Sequence, residues 1–208
     1  MSTIQFIYRM THIGNIPHIL QYGITSHNSP NKNPNYINIG DTTLISARDS
    51  LTVDVEGKLT DLKDFIPFYF GTRMPMLHII QNGFNNVKKT PPEDIVYIKC
   101  SIQDVIRQKV DYIFSDGHAK NAFTLFYSEK SINDIDNIVD MKAVKNSYWG
   151  GEENLDVKRK KQAEFLVKGD IPANCIKMFG CYNEFAKERL IGMGICGTMI
   201  QVASQAYY

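Results

Sequence analysis

The chain has 208 residues, enough to bury a substantial core in one large domain or two small ones. At 43% hydrophobic and 22% charged residues its composition is that of an ordinary globular protein, which argues against long disorder. A formal net charge of +1 excludes a globally basic nucleic-acid binder, so any site for a polyanion has to be a local patch.

Residues 4–10 are β-branched and aromatic and read as a strand. Asn15 as a cap, Pro17 in a first turn and Gly23 as a stop predict a short helix over 16–22, placing His12 on a strand-to-helix turn. A turn histidine can meet a ligand or simply bond a local carbonyl, and both readings stand at this point. Thr25 to Pro34 is a polar loop long enough to suggest binding. Leu44–Arg48 predicts a helical turn, and Leu51–Lys63 a polar connector. Asp64–Phe70 is the most strand-like run, with Pro67 suggesting an edge strand or a bulge. A helix is expected over Met76–Gln81, stopped at Asn82-Gly83.

Asp94–Cys100 predicts a further strand, and Ser101 to Asp104 resembles a capping box opening a helix to about Gln108. Short strands at Tyr112–Phe114 and Ala122–Tyr127 flank a turn at Ser115–Ala119. A helix capped at Ser131 runs to about Val139, and Lys142–Val157, with the single tryptophan Trp149, reads as a mobile loop. Strands at Glu164–Val167, Cys175–Phe179 and Met199–Ser204 and a helix at Tyr182–Leu190 complete an α+β pattern without βαβ rhythm or repeats.

No stretch approaches the ~20 apolar residues of a membrane span, and the N-terminus lacks the features of a secretory signal. The four cysteines form no CxxC pair, so neither zinc nor a disulfide framework is indicated and a cytoplasmic setting is expected. Dinucleotide, phosphate-loop, HExxH and GxSxG motifs are all missing.

Lys158-Arg159-Lys160-Lys161 runs into the strand that begins at Glu164. A carboxylate aimed by a strand start can stabilise positive charge developing on a bound substrate. The same glutamate could equally form a surface ion pair of little worth.

Four blocks, Tyr8–Leu20, Asp64–Met76, Phe114–Ala119 and Lys158–Val167, taken in this order resemble the DarT family of DNA ADP-ribosyltransferase toxins. The resemblance implies an ADP-ribosyltransferase-like fold over residues 1–208 as a single domain, with two facing β-sheets, an NAD cleft between them and flanking helices. It implies transfer of ADP-ribose from NAD+ to a base of single-stranded DNA, thymine in the branch this chain looks most like. By position, His12, Ile13, Gly14, Asn15 and Gly23 would hold NAD+. Arg48 would serve NAD+ and the acceptor base, and Glu164 would be the catalytic glutamate. Cations and planar groups for DNA would come from Arg73, His118, Tyr148, Trp149, Lys158, Arg159, Lys160 and Lys161, with Met76 beside them.

No metal is required by this chemistry. A macrodomain antitoxin that removes the mark is the implied partner, and the enzyme is expected to be monomeric. Guanine, RNA or protein as acceptor, or a non-enzymatic single-strand-binding module, are the competing readings.

Overall fold

β-Branched and aromatic side chains set most of the strands in the computed structural model, which describes residues 2–208. The strands are β1 (Phe6–His12), β2 (Thr52–Val55), β3 (Lys58–Asp61), β4 (Phe65–Tyr69), β5 (Ile95–Ser101), β6 (Tyr112–Ser115), β7 (Phe126–Tyr127), β8 (Glu164–Lys168), β9 (Ile176–Cys181) and β10 (Ile200–Val202). The helices are α1 (Ile16–Tyr22), α2 (Thr42–Asp49), α3 (Pro75–Asn82), α4 (Ile102–Arg107), α5 (Ile135–Ile138), α6 (Met141–Lys145), α7 (Leu155–Lys161) and α8 (Glu184–Gly192). Among the described residues most neighbouring strands are antiparallel, and only β2/β7 and β9/β10 run parallel.

The two facing sheets implied by the resemblance are hydrogen-bonded here into one sheet of order β10-β9-β5-β1-β4-β8-β6-β7-β2-β3. The joint is slight. β1 pairs with β5 along its whole length and β4 pairs fully with β8, whereas β1 and β4 meet only at Tyr8↔Tyr69. The result is a four-stranded and a six-stranded half-sheet parted along the β1–β4 line. Pro67 explains part of this. It lies inside the strand order rather than at an edge, but a residue without an N–H cannot complete a ladder on both sides. The Arg9 Nη1 instead donates to the Pro67 carbonyl across the gap at 2.9 Å.

The main core lies around Ile7, Phe68, Phe114 and Phe165, all fully buried. Phe165 stacks on Tyr112 and meets Phe70 edge-on.

Two expectations are corrected. Leu51–Lys63 is a β-hairpin and not a polar connector. Its turn at Glu56–Gly57 has φ values of 51° and 88°, the doubly positive geometry favoured in two-residue hairpins. Within its two strands only Val53 and Val55 are buried, so the alternation was too short to register. Lys142–Val157 is no continuous loop, since it contains most of α6, capped by Asp140, and the start of α7. The cationic run consequently ends a helix instead of opening a strand.

Candidate active site

Glu164 is the first residue of β8, opposite Tyr69 of β4, and is 2% exposed. Its backbone N–H donates to Ser115 Oγ at 3.1 Å, and that hydroxyl donates in turn to the Gly117 carbonyl at 2.7 Å. The Ala119 N–H donates to Glu164 Oε1 at 3.2 Å, and Arg48 Nη1 to Oε2 at 2.8 Å. The carboxylate is thus held by the strand behind it and by the Ser115–Ala119 turn beside it. This is not a solvated strand-edge charge.

Arg48 arrives from the opposite wall. Helix α2 buries no residue of its own. It is started by Asp41, whose carboxylate accepts from the Thr43 and Leu44 N–H groups and from the Thr43 hydroxyl, and these bonds hold its pKa below the usual carboxylate range. Beyond its bond to Glu164, the guanidinium keeps Nε and Nη2 buried without a partner. Unmatched buried donors are costly unless something fills the space they face.

That space is a cleft of about 180 Å³ at the parting of the half-sheets, lined by Arg9, Tyr69, Met76, His118, Arg48 and Glu164 among others. A cavity of about 610 Å³ adjoins it and shares Arg9, Tyr36, Asn38 and Arg48. Burial lowers the His118 pKa, although Glu164 opposes the shift, so the ring is neutral near pH 7. Its Nδ1 accepts from the Lys120 N–H at 3.3 Å, which assigns the ring proton to Nε2. The Tyr69 phenol is kept protonated, chiefly by burial and also by Glu164.

A buried carboxylate, a guanidinium with free donors, a neutral histidine and a phenol around one cleft fit cleavage of a glycosidic bond through an oxocarbenium-like transition state. The match to known proteins agrees. Residues 8–208 match the family described as "ssDNA thymidine ADP-ribosyltransferase, DarT".

The chain belongs to the DarT family.

A DNA ADP-ribosyl transferase of Escherichia coli O127:H6 is 33% identical over 185 residues, spanning 88% of this chain and 83% of the relative. A DNA ADP-ribosyl transferase–DNA ADP-ribosyl glycohydrolase fusion protein of Thermosipho africanus is 31% identical over 77% of this chain and 38% of its own length. The solved Thermus sp. 2.9 DarT in complex with ADP-ribosylated ssDNA superposes with a TM-score of 0.85 at 25% identity, covering 100% of this chain and 98% of that one. The same Thermus protein in complex with NAD+ superposes at 0.80 and 24% identity, covering 100% and 99%.

Within this DarT chain, the sequence-predicted residues divide. Arg48, Glu164, His118 and Met76 meet at the cleft. His12 and Gly14 are not among the residues lining it. The Gly14 N–H donates to His12 Nδ1 at 3.0 Å, leaving Nε2 as the free donor, and burial lowers the His12 pKa. A Cβ at position 14 would come within 2.8 Å of Ile37 Cδ1, the end of a side chain that can shift. The side chains of Ile13 and Asn15 are buried. Asn15 clamps the Thr25–Gly40 loop, accepting from Ile37 N–H and donating to Ile37 O, each at 2.9 Å. Gly23, with φ 79°, ends α1 against the Ile171 carbonyl, and its N–H is bonded to Ile19 O. It can offer a ligand only backbone.

The four residues of the cationic run differ in burial and pairing. Arg159 is buried and bonds Asp116 and Asp156, each at 3.0 Å, while its carbonyl holds the His118 N–H. Lys160 pairs with Asp156 at 2.8 Å, and Lys161 is 2% exposed. Lys158 alone in the run is exposed without an acidic partner, lying over the Trp149 ring at 5.4 Å. Trp149 donates to the Tyr208 hydroxyl at 2.8 Å, Arg73 lies over the Tyr208 ring at 4.6 Å, and Tyr148 is exposed.

Sequence reasoning missed Arg9, Tyr69, Ser115 and Asp41. Arg9, Tyr69 and Ser115 lay inside the resembling blocks, but only the β4–β8 register sets Tyr69 against Glu164. Among the described residues no helix is long and apolar enough to cross a membrane.

Proposed function

We propose that this chain acts as one ADP-ribosyltransferase domain over residues 1–208 and transfers ADP-ribose from NAD+ to a thymine of single-stranded DNA, releasing nicotinamide. The observation that carries the reading is the buried Arg48–Glu164 pair at a cleft whose remaining guanidinium donors lack partners.

The bond from ribose C1′ to nicotinamide breaks with its electron pair leaving on nicotinamide, which departs neutral. Glu164 stabilises the positive charge that grows on the ribose. A ring nitrogen of the base then bonds C1′ and loses its proton to water. Arg48 orients and neutralises rather than accepting that proton, because a guanidinium stays charged. The Nε2–H of His118 donates to a base carbonyl, and Tyr69 supplies a second neutral donor. His12 Nε2–H and the backbone of the Ile13–Asn15 turn, with Gly23, border the NAD+ path. Lys158, Trp149, Tyr148 and Arg73 lie along the strand's path.

A cytoplasmic, monomeric toxin is the setting this chemistry suits, since NAD+ and DNA are both found there. A glycohydrolase of the kind fused to the Thermosipho relative is the proposed antitoxin partner.

The deciding experiment supplies NAD+ and a mixed-sequence oligonucleotide and reads nicotinamide release and the DNA mass. A gain of one ADP-ribose mapped to thymine is expected. The mark on guanine alone, or nicotinamide release with unmodified DNA, would overturn the acceptor.

A further inference from the structure

Between β6 and β7 the chain forms neither helix nor strand over residues 116–125. Two groups of this segment nevertheless face the reaction: the His118 ring lines the cleft, and the Ala119 N–H donates to Glu164 Oε1. An irregular segment keeps such groups in place only if its own polar atoms are bound.

Asp116 is where those bonds converge. Its Oδ1 accepts from Arg159 Nη1 at 3.0 Å and from the Leu125 N–H at 2.8 Å, and its own N–H donates to the Leu125 carbonyl at 3.2 Å. The arginine it holds reaches the rest of the turn. The Arg159 carbonyl accepts from the His118 N–H at 3.0 Å, and the His118 carbonyl accepts from the Thr124 hydroxyl at 2.8 Å. Both backbone groups of His118 are therefore bound. Gly117 lies directly against the same side chain, since an added Cβ would come within 2.9 Å of Arg159 Cγ and of Thr124 Oγ1.

Arg159 has a second carboxylate partner, Asp156, but the two are unequal. The Asp156 side chain is 63% exposed and that of Asp116 is 18% exposed. An ion pair in water contributes little, whereas a partly buried one fixes geometry more than it stabilises. Fixed geometry is what the cleft needs, because a displacement of about 1 Å in a group that meets the substrate can cost on the order of 100-fold in rate. Asp116 itself is not among the residues lining the cleft.

We propose that Asp116 is a positioning residue for the reaction: through Arg159 and Leu125 it fixes the turn from which the His118 ring and the Ala119 N–H reach the cleft. This rests on the roles given above to His118 and Glu164. The paired arginine is thus recruited to the architecture of the turn, and the acidic residue decides where that turn stands.

The test compares full-length variants well below their melting temperatures. Asp116→Asn keeps the shape and an acceptor for the Leu125 N–H but removes the ion pair. Its kcat should fall about tenfold while KM for NAD+ and affinity for an oligonucleotide stay nearly constant. The acid limb of its pH profile should move to higher pH, because a looser turn gives the His118 ring back to water. The charged groups facing that ring, Glu164, Arg48, Lys120 and Lys158, are unaltered in this variant. Adding Arg159→Gln should cost no more than Arg159→Gln alone, since both act through one pair. Asp156→Asn, which removes the exposed partner, should leave kcat nearly unchanged. If Asp116→Asn does not fold, Arg159→Lys carries the same comparison, because a single ammonium cannot reproduce the fork that holds Asp116.

A lower melting temperature with kcat and the acid limb unchanged would make Asp116 a stabilising residue only and overturn the proposal. Independent, additive losses from Asp116→Asn and Arg159→Gln would overturn it as well. Failure of the functional reading looks different. Glu164→Gln and His118→Gln would then both keep the wild-type rate, or the wild type would release no nicotinamide at all.

Discussion

The two groups that meet in the cleft come from regions of opposite character. Glu164 opens a central strand whose next three residues are fully buried, and its own N–H and carboxylate are tied to the Ser115–Ala119 turn. Arg48 rides on a helix with no buried residue, secured by the Asp41 cap and by the ion pair itself. One wall is fixed by the core and the other is held by a few polar bonds. A reaction that must admit a large co-substrate and then enclose it is served by that division, because low-stability elements are the ones that open.

Disabling the fixed wall should have the largest effect. Glu164→Gln keeps the shape and removes the charge, so the rate should fall by about 10²–10³ while NAD+ and DNA affinities change little. Nicotinamide release at near wild-type rate would show that the strand merely positions a structural ion pair.

Arg48→Ala should also reduce the rate, by roughly tenfold to a hundredfold, and it separates the walls by stability. It leaves Glu164 buried and unpaired, so its melting temperature should drop further than that of Glu164→Gln, in which Arg48 retains some solvent. Equal thermal shifts in the two variants would contradict the asymmetry.

Loosening the adjustable wall without touching the chemistry calls for Asp41→Ala. Losing this cap should cost about 1 kcal/mol locally and speed hydrogen exchange in α2. The KM for NAD+ should rise several-fold with kcat nearly preserved. A fall in kcat alone would place Asp41 in the chemical step.

The pH profile probes the turn between the walls. His118 has a lowered pKa, so the folded protein binds fewer protons than the unfolded chain between that pKa and about 6.5. Stability should therefore decline as pH falls through that window, and activity should fall with it as a second cation forms beside Arg48. His118→Gln should flatten this acid limb.

The smallest effect is expected at His12, the last residue of β1 before the turn into α1. His12→Ala should weaken NAD+ binding a few-fold by titration, with the free protein's melting point almost unchanged. A large loss of stability without any change in affinity would make it a capping residue only.

How much could be read in advance differs between the same regions. β1, α1, β4 and β8 were legible because β-branched and aromatic runs, Asn15, Pro17 and Gly23 impose their structure over a few residues. The β2–β3 hairpin and α7 were not, because only alternate valines or two cations turn inward there. By itself the sequence determined the residue types of the reaction, the ordered blocks that carry the family likeness and most of the core strands. These depend on local propensity and on chemistry carried by single side chains.

Only the tertiary structure decided which charges are available. It brought Arg48 to Glu164 across 116 residues, set Tyr69 opposite Glu164 through the β4–β8 register, and divided the Lys158–Lys161 run. Lys158 remains outside, Arg159 and Lys160 pair with aspartates, and Lys161 is buried against the Val144 carbonyl. Burial and pairing depend on what the rest of the chain packs against each group, so four adjacent cations written alike in the sequence have different chemical states in the fold.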